Sequence, residues 1–152
     1  PVALTVLDTD SPMFEPVTVS GDELRLRQVL SNLLANSVRH TPAGTSITVR
    51  VGVAAPEDLI AAASAAGSTM DPHTPVAVVE VADSGAGVPP EHAERIFDRF
   101  HRVPSARTEG GGSGLGLAIA AALAAAHDGR IELVARSGTS GATFRLLLPL
   151  PD

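Results

Sequence analysis

A row of carboxamide and cationic side chains lies along a predicted helix over residues 22–40. Gln28, Asn32 and Asn36 follow one another at intervals of four residues, and Arg39 comes three residues later. Residues at these spacings share one face of an α-helix. A carboxamide offers a carbonyl oxygen and N–H groups without net charge, which suits holding a metal ion against an anionic group. We interpret the row as one wall of a magnesium–nucleotide site, although a polar face that serves solubility alone is an alternative.

A second candidate group follows a strongly β-branched segment, residues 76–81. Asp83 stands where this predicted strand meets a turn, and Gly85 and Gly87 allow the backbone to approach a flat ligand closely. A carboxylate there can accept a hydrogen bond from an exocyclic amine. Adenine carries such an amine at its six position and guanine does not, so Asp83 could select the base. An ordinary Asp-Gly turn is the alternative.

The third candidate is the glycine-rich stretch 110–116, which precedes an apolar helical pattern. Successive N–H groups of glycines can face phosphates, and the start of a helix adds a favourable dipole. A dinucleotide fingerprint is excluded because no G-x-G-x-x-G is present, and a P-loop is excluded because no Lys-Ser or Lys-Thr follows. A glycine-rich linker does not explain why a helix begins immediately afterwards.

Several elements must position these groups. The helix over 22–40 is amphipathic, with leucines and valine at helical spacing. Strands are predicted at 2–7, 17–19, 47–53, 76–81, 130–136 and 142–148, a short helix from Pro90, and a second long helix from about Gly114 to His127. Residues 54–75 are rich in Ala, Ser, Gly and Pro and are interpreted as a surface insertion with a possible helical turn over 57–63. Because no regular βαβ repeat is visible, we expect an α/β two-layer sandwich, a mixed β-sheet with helices packed on one face.

Composition narrows the function classes further. With 152 residues and 44% hydrophobic residues, the chain is long enough for a single domain over 1–152 with a real core. A net charge of −6 argues against nucleic-acid binding and against contact with an anionic membrane. The absence of cysteine excludes thiolate metal sites, and no apolar run reaches the roughly 20 residues of a membrane span. A strand-like start at Pro1 without an initiator Met suggests a domain of a longer protein.

Five segments, taken in order, resemble the ATP-binding catalytic domain of sensor histidine kinases. They are RLRQVLSNLLANSVRHT, DSGAGV, ERIFDRFHR, GGSGLGLAIA and GATFRLLLP. The resemblance covers nearly the whole chain except residues 54–75. It implies the α/β sandwich shared with gyrase-type ATPases, a site for ATP and Mg²⁺, and an ATP lid over residues 88–113.

The resemblance also implies roles for individual residues. Asn36 is similar to the Mg²⁺ ligand, and Asn32 to a residue that contacts phosphate or metal-bound water. Arg39 stands where the family usually has a phosphate-binding Lys, and His40 where it often has a Tyr beside the adenine. The remaining implied nucleotide contacts are the adenine-reading Asp83 with Gly85 and Gly87, the phosphate-contacting Gly112, Gly114, Leu115 and Gly116, and Thr143 near the base. Phe97 and Phe100 resemble an aromatic pair that anchors the lid.

The same resemblance distinguishes phosphotransfer from hydrolysis. Hydrolytic members of the fold carry a Glu one turn before the metal-binding Asn, and here that position is Asn32, which cannot act as a base. Because a neutral imidazole is already nucleophilic, phosphoryl transfer to it depends less on a catalytic base. A histidine acceptor is therefore favoured. None of the five His residues stands in an H-E/D-x-R-T-P-like setting. We therefore expect as partners a separate dimerisation and phosphoacceptor domain and, indirectly, a response regulator. This chain is expected to be the cytoplasmic part of a membrane-bound parent, and a hydrolytic ATPase or a silent regulatory module remain the alternatives.

Overall fold

The computed structural model describes residues 3–6, 17–100, 115–135 and 141–152. Six strands form one sheet in the order β1-β2-β4-β6-β5-β3, in which β1 and β2 are parallel and the other neighbours are antiparallel. The strands are β1 (Ala3–Val6), β2 (Ser46–Ala54), β3 (Ala62–Gly67), β4 (Val76–Asp83), β5 (Arg130–Val134) and β6 (Thr143–Pro149). The mixed sheet expected from the sequence is therefore confirmed.

Two longer helices and one short helix accompany the sheet. They are α1 (Glu23–His40), α2 (Pro90–Ala93) and α3 (Gly116–Ala126). The Asp22 carboxylate caps α1 by accepting a hydrogen bond from the Arg25 N–H at 3.2 Å, as expected for an N-cap residue. The helix ends at Thr41, which has an extended backbone because Pro42 follows it. The predicted boundaries of α1 are correct to within one residue.

The His127 ring fixes the two long helices relative to each other. Its Nδ1 lies 2.8 Å from the Leu123 carbonyl oxygen, and its Nε2 lies 3.1 Å from the Asp22 backbone nitrogen. Because the carbonyl can only accept and the backbone N–H can only donate, Nδ1 carries the proton and Nε2 accepts. The end of α3 is thereby attached to the start of α1.

The main core lies between these helices and one face of the sheet. Val29, Leu33 and Ser37 line the buried side of α1, and α1 and α3 pack against each other and against the sheet. Phe144, Leu146 and Leu148, the helix-facing residues of β6, are buried below them. The expected layer of helices on one face of the sheet is confirmed.

Residues 54–75 contain a shorter helical turn than expected over 57–63 and a strand that the sequence did not predict. Pro56–Asp58 form a turn of 3₁₀ helix, and Ala62–Gly67 form β3, which pairs with β5 at the edge of the sheet. Ala and Gly are weak strand formers, so the strand is set by pairing with β5 and not by local propensity. Leu59 and Met70, on either side of β3, pack on the sheet face opposite to α1 and α3, against a small buried cluster consisting of Val76, Val78 and Leu147. We call this the back face.

The expected strand at 17–19 is also wrong. Val17 and Val19 pack against the main core without joining the sheet. In the described part of the chain, neither long helix has the length and apolar composition that a bilayer crossing requires.

Candidate functional site

The carboxamide row on α1 connects this helix to the start of α3. The Gln28 Nε2 donates to Asn32 Oδ1 at 2.8 Å, and the Asn32 Nδ2 donates to the Gly116 carbonyl oxygen at 3.0 Å. Asn36 is half-buried, and its carboxamide has no hydrogen-bond partner among the residues that the structure describes. Arg39 is exposed in the last turn of the helix. Of the three carboxamides in the row, those of Gln28 and Asn32 are thus engaged, and that of Asn36 makes no hydrogen bond to the described part of the chain.

Asp83 is a buried carboxylate at the end of β4. Its side chain is held through one oxygen, since Oδ1 accepts from the Gly85 N–H at 2.9 Å and from the Ala142 N–H at 3.2 Å. Asp83 is 7% exposed, and it forms no ion pair within residues 17–100, 115–135 and 141–152. Oδ2 is therefore the oxygen left to accept a hydrogen bond from a ligand.

Glycines bring the Asp83 turn onto the end of α1. A Cβ at Gly85 would lie 2.5 Å from the His40 carbonyl oxygen, so a side chain at this position would push the turn away from the helix. On the other side of the turn, Gly141 has a φ of +96°, and a Cβ there would lie 1.9 Å from the Asp83 carbonyl oxygen. The carboxylate is thus enclosed by backbone from two directions.

Gly87 approaches the same backbone. It has a φ of +79°, and an added Cβ would lie 2.8 Å from the Gly141 carbonyl oxygen. Turn chemistry alone identifies Gly85 and Gly87, whereas the roles of Gly141 and of the Ala142 N–H are established by the structure. The signal was present in the segment GATFRLLLP, whose glycine stands directly before the residue that bonds Asp83.

His40 lies within electrostatic range of this carboxylate. Burial lowers the pKa of His40 below its ordinary value of 6.5, the Arg39 guanidinium lowers it further, and Asp83 acts in the opposite direction. The imidazole is accordingly biased toward its neutral form at neutral pH. The structure brings Arg39, His40 and Asp83 together at one end of α1.

Thr143 lies elsewhere. It pairs with Ala82, whereas the next residue, Phe144, pairs with Val81 and faces the helices. Because side chains alternate along a strand, the Thr143 side chain points to the back face. There it lines a depression of about 250 Å³ with Thr48 and Ala82, which Asp83 borders as well. The predicted contact between Thr143 and the base stays a prediction.

The glycine-rich stretch is described only from Leu115 onward, so Gly112, Gly114 and the whole second half of the predicted lid, residues 101–113, lie outside the described residues. Leu115 is the N-cap of α3 and Gly116 its first residue, which places the N-terminus of this helix beside Asn32. In the first half of the predicted lid, Phe97 packs edge-on against Phe144 at a centroid distance of 6.1 Å, while Phe100 is 68% exposed. The two aromatic residues therefore have different environments.

The residues present fit a magnesium ion that arrives with phosphates. Such an ion keeps several waters and takes one or two protein oxygens besides the phosphate oxygens. The half-buried Asn36 carbonyl oxygen, with no partner among the described residues, meets this requirement. A self-sufficient metal cage of acidic and His side chains is absent from the ranges that the structure describes.

Comparisons with known proteins agree with this geometry. Residues 21–152 match the family described as histidine kinase-, DNA gyrase B-, and HSP90-like ATPases. The chain is 38% identical over 136 residues to the sensor histidine kinase TrcS of Mycobacterium tuberculosis, covering 90% of this chain and 24% of that protein. It is 40% identical over 132 residues to the sensor histidine kinase CusS of Escherichia coli, covering 86% of this chain and 23% of that protein. The chain thus spans about a quarter of the length of these relatives.

Solved structures show the same fold. The mycobacterial sensor histidine kinase MprB superposes with a TM-score of 0.69 at 28% identity, covering 98% of this chain and 82% of that chain. Full-length ShkA in complex with AMPPNP superposes with a TM-score of 0.65 at 29% identity, covering 98% of this chain and 25% of that chain. The resemblance read from the five sequence segments is confirmed.

Proposed function

The chain belongs to the family of histidine kinase-, DNA gyrase B-, and HSP90-like ATPases, and we propose that it is the ATP-binding catalytic domain of a sensor histidine kinase. One observation carries the proposal. A buried carboxylate, fixed through Oδ1 by two backbone N–H groups, lies against the end of a helix that carries the Asn36 carboxamide, which has no hydrogen-bond partner within the ranges that the structure describes. This arrangement places a hydrogen-bond acceptor for the base next to side chains that can bind the metal and the phosphates.

Each residue then has a defined task toward the nucleotide. Asp83 accepts a hydrogen bond from the adenine amine through Oδ2, and Gly85 and Gly87 let the base lie close to the backbone. Asn36 supplies its carbonyl oxygen to Mg²⁺, whose charge would offset that of the phosphates when the ion is bound. The remaining contacts are those of Asn32 with phosphate or metal-bound water, of Arg39 with phosphate, of His40 beside the base, and of Gly112, Gly114, Leu115 and Gly116 with phosphate.

The proposed reaction is transfer of the γ-phosphoryl group to a histidine on a separate domain. The bond from the γ-phosphorus to the bridging oxygen breaks, ADP leaves, and a phosphorus–nitrogen bond forms to the neutral imidazole of the acceptor. Positioning and charge neutralisation are the main requirements of such a transfer. The acceptor domain belongs to the parent protein, which we propose to be membrane-bound with this domain in the cytoplasm and a response regulator as the subsequent partner.

No observation favours hydrolysis as the function. A hydrolase needs a base to activate water, and the position one turn before Asn36 is Asn32. Its carboxamide is engaged by Gln28 and by the Gly116 carbonyl. The domain is therefore expected to bind ATP and to release little phosphate by itself.

Incubation with γ-labelled ATP tests the proposal, with and without the parent's helical acceptor domain. We expect label on the acceptor domain, little free phosphate from this domain alone, and loss of label transfer in Asn36→Ala. Substantial free phosphate without the acceptor would identify a hydrolase instead. ATP binding without label transfer would identify a regulatory nucleotide-binding module.

A further inference from the structure

The fold determines which end of the Asn32 carboxamide faces in which direction. The Gly116 carbonyl oxygen can only accept a hydrogen bond, so the Asn32 atom 3.0 Å from it must be the Nδ2. Oδ1 then points the other way, toward Gln28, and must accept. Gln28 consequently presents its Nε2, at 2.8 Å. A backbone carbonyl of α3 thereby sets the direction of both hydrogen bonds on α1.

We propose that Gln28 is a positioning residue for nucleotide binding, which acts by holding the Asn32 carboxamide in this orientation. Nδ2 has a second hydrogen, which is not used by Gly116, while Oδ1 is directed at Gln28. Asn32 is thereby oriented to meet the nucleotide as a hydrogen-bond donor to phosphate, since Gln28 occupies one of the two lone pairs of its Oδ1, and we assign the supply of oxygen to the metal to another side chain. That task is left to Asn36, whose carboxamide is unengaged in the described structure. The inference rests on the proposed function.

The Asn32 side chain needs this support because it is held at few points. The terminal torsion of an Asn side chain is broad, so packing alone does not choose between its two faces. Without Gln28, the hydrogen bond to Gly116 would be the one remaining restraint on the carboxamide among the described residues. Part of the nucleotide's binding free energy would then be spent on ordering Asn32.

Isothermal titration of ATP into the domain, once with EDTA and once with saturating Mg²⁺, separates the two asparagine roles. The ratio of the two Kd values measures how strongly Mg²⁺ and ATP assist each other. We expect Gln28→Met, a neutral change of similar size, to raise Kd roughly three- to tenfold in both buffers, as for loss of one hydrogen bond, with the ratio unchanged. Asn36→Ala should instead reduce the ratio and leave the metal-free Kd close to that of the wild type.

Ser31→Ala is the matched control, because Ser31 is exposed on the same helix and makes no side-chain hydrogen bond to the site residues that the structure describes. It should change neither Kd, and thermal melts should show that all variants are folded. The side-chain amide resonance of Asn32 should shift in Gln28→Met and not in Ser31→Ala.

Two results would overturn the positioning role. One is an unchanged Kd for Gln28→Met in both buffers, and the other is a reduced Mg²⁺ ratio in that variant. Failure of the wild type to bind ATP would refute the proposed function itself, which distinguishes the two failures.

Discussion

Two buried carboxylates lie on opposite faces of the sheet, and their surroundings differ. On the back face, Glu132 is 5% exposed and lies between two guanidinium groups, with distances of 2.5 Å to Arg145 and 2.6 Å to Arg130. Arg145 also donates to the Ile60 carbonyl oxygen at 2.5 Å. On the helix face, Asp83 is 7% exposed and has two N–H donors on one oxygen, without an ion-pair partner among the described residues.

The difference shows that burial of a charge does not by itself identify a functional site. Glu132 is neutralised within the fold by Arg130 and Arg145, and Arg145 in turn attaches the segment before β3 to the sheet through the Ile60 carbonyl, so the charge of Glu132 is satisfied by the structure. Asp83 is held through Oδ1, and its Oδ2 is left available to accept a hydrogen bond, as expected of a ligand-binding group. Substituting each carboxylate in turn and measuring both stability and ATP affinity tests this difference.

The largest effect is expected from Glu132→Gln on stability. Removing the charge leaves Arg145 buried without its counterion, which costs about 3–5 kcal/mol of unfolding free energy for pairs of this kind. Urea denaturation would measure the loss, while ATP affinity of the folded fraction should be unchanged. The double substitution Glu132→Leu with Arg145→Met should recover most of the stability. A double variant as unstable as Glu132→Gln would contradict this account of the back face.

Asp83→Asn should instead leave stability nearly unchanged and reduce ATP affinity. The new side chain can keep its oxygen toward the N–H groups of Gly85 and Ala142, so stability should change little. Its amide nitrogen would then replace Oδ2 and face the adenine amine, donor against donor. We expect a loss of ATP affinity of about a hundredfold or more, measured by titration with a fluorescent adenine nucleotide. Unchanged binding would show that Asp83 does not contact the nucleotide.

Gly141→Ala should affect both properties, because the glycine supports the Asp83 turn. An L-side chain at positive φ and so close to the Asp83 carbonyl should cost about 1–3 kcal/mol of stability. The displaced turn should also weaken ATP binding. Gly44→Ala is a suitable control, since Gly44 has a φ of +86° but nothing within 4 Å of an added Cβ. Equal effects of the two variants on ATP binding would mean that Gly141 contributes backbone conformation alone.

The smallest effect concerns His40. Because the pKa of His40 is lower in the folded protein than its ordinary 6.5, the unfolded chain binds more protons at mildly acidic pH. The stability contribution of His40 is therefore complete above about pH 6.5 and is lost as pH falls through the lowered pKa. His40→Gln should make the melting temperature less sensitive to pH in this range.

The melting measurements should be made above about pH 5, so that the titration of Asp71 does not contribute. Hydrogen bonds from the His73 N–H and the Thr74 hydroxyl lower the pKa of Asp71 below 3.8, so its own transition occurs in stronger acid. Identical pH profiles for the wild type and His40→Gln would show that the environment of His40 does not favour the neutral ring.

Prediction from the sequence worked best where a local pattern and its chemistry coincide. The boundaries of α1, the strands over 46–54 and 76–83 and the closeness of Asp83 to its glycines all follow from periodicity and turn chemistry. Prediction failed where distant pairing decides. The Ala-rich β3 has little strand propensity of its own, and its pairing with β5 joins segments far apart in the chain.

The sequence by itself determined the family, the helix with its carboxamide row and the residue types available for nucleotide binding, because these depend on the spacing of neighbouring residues. The tertiary structure decided which oxygen of Asp83 is left available, which way the Asn32 carboxamide points and which buried charges satisfy one another. Each of these is fixed by a partner far away in the chain, such as Ala142 for Asp83 or Gly116 for Asn32. Folding brings such partners together, and local spacing does not reveal them.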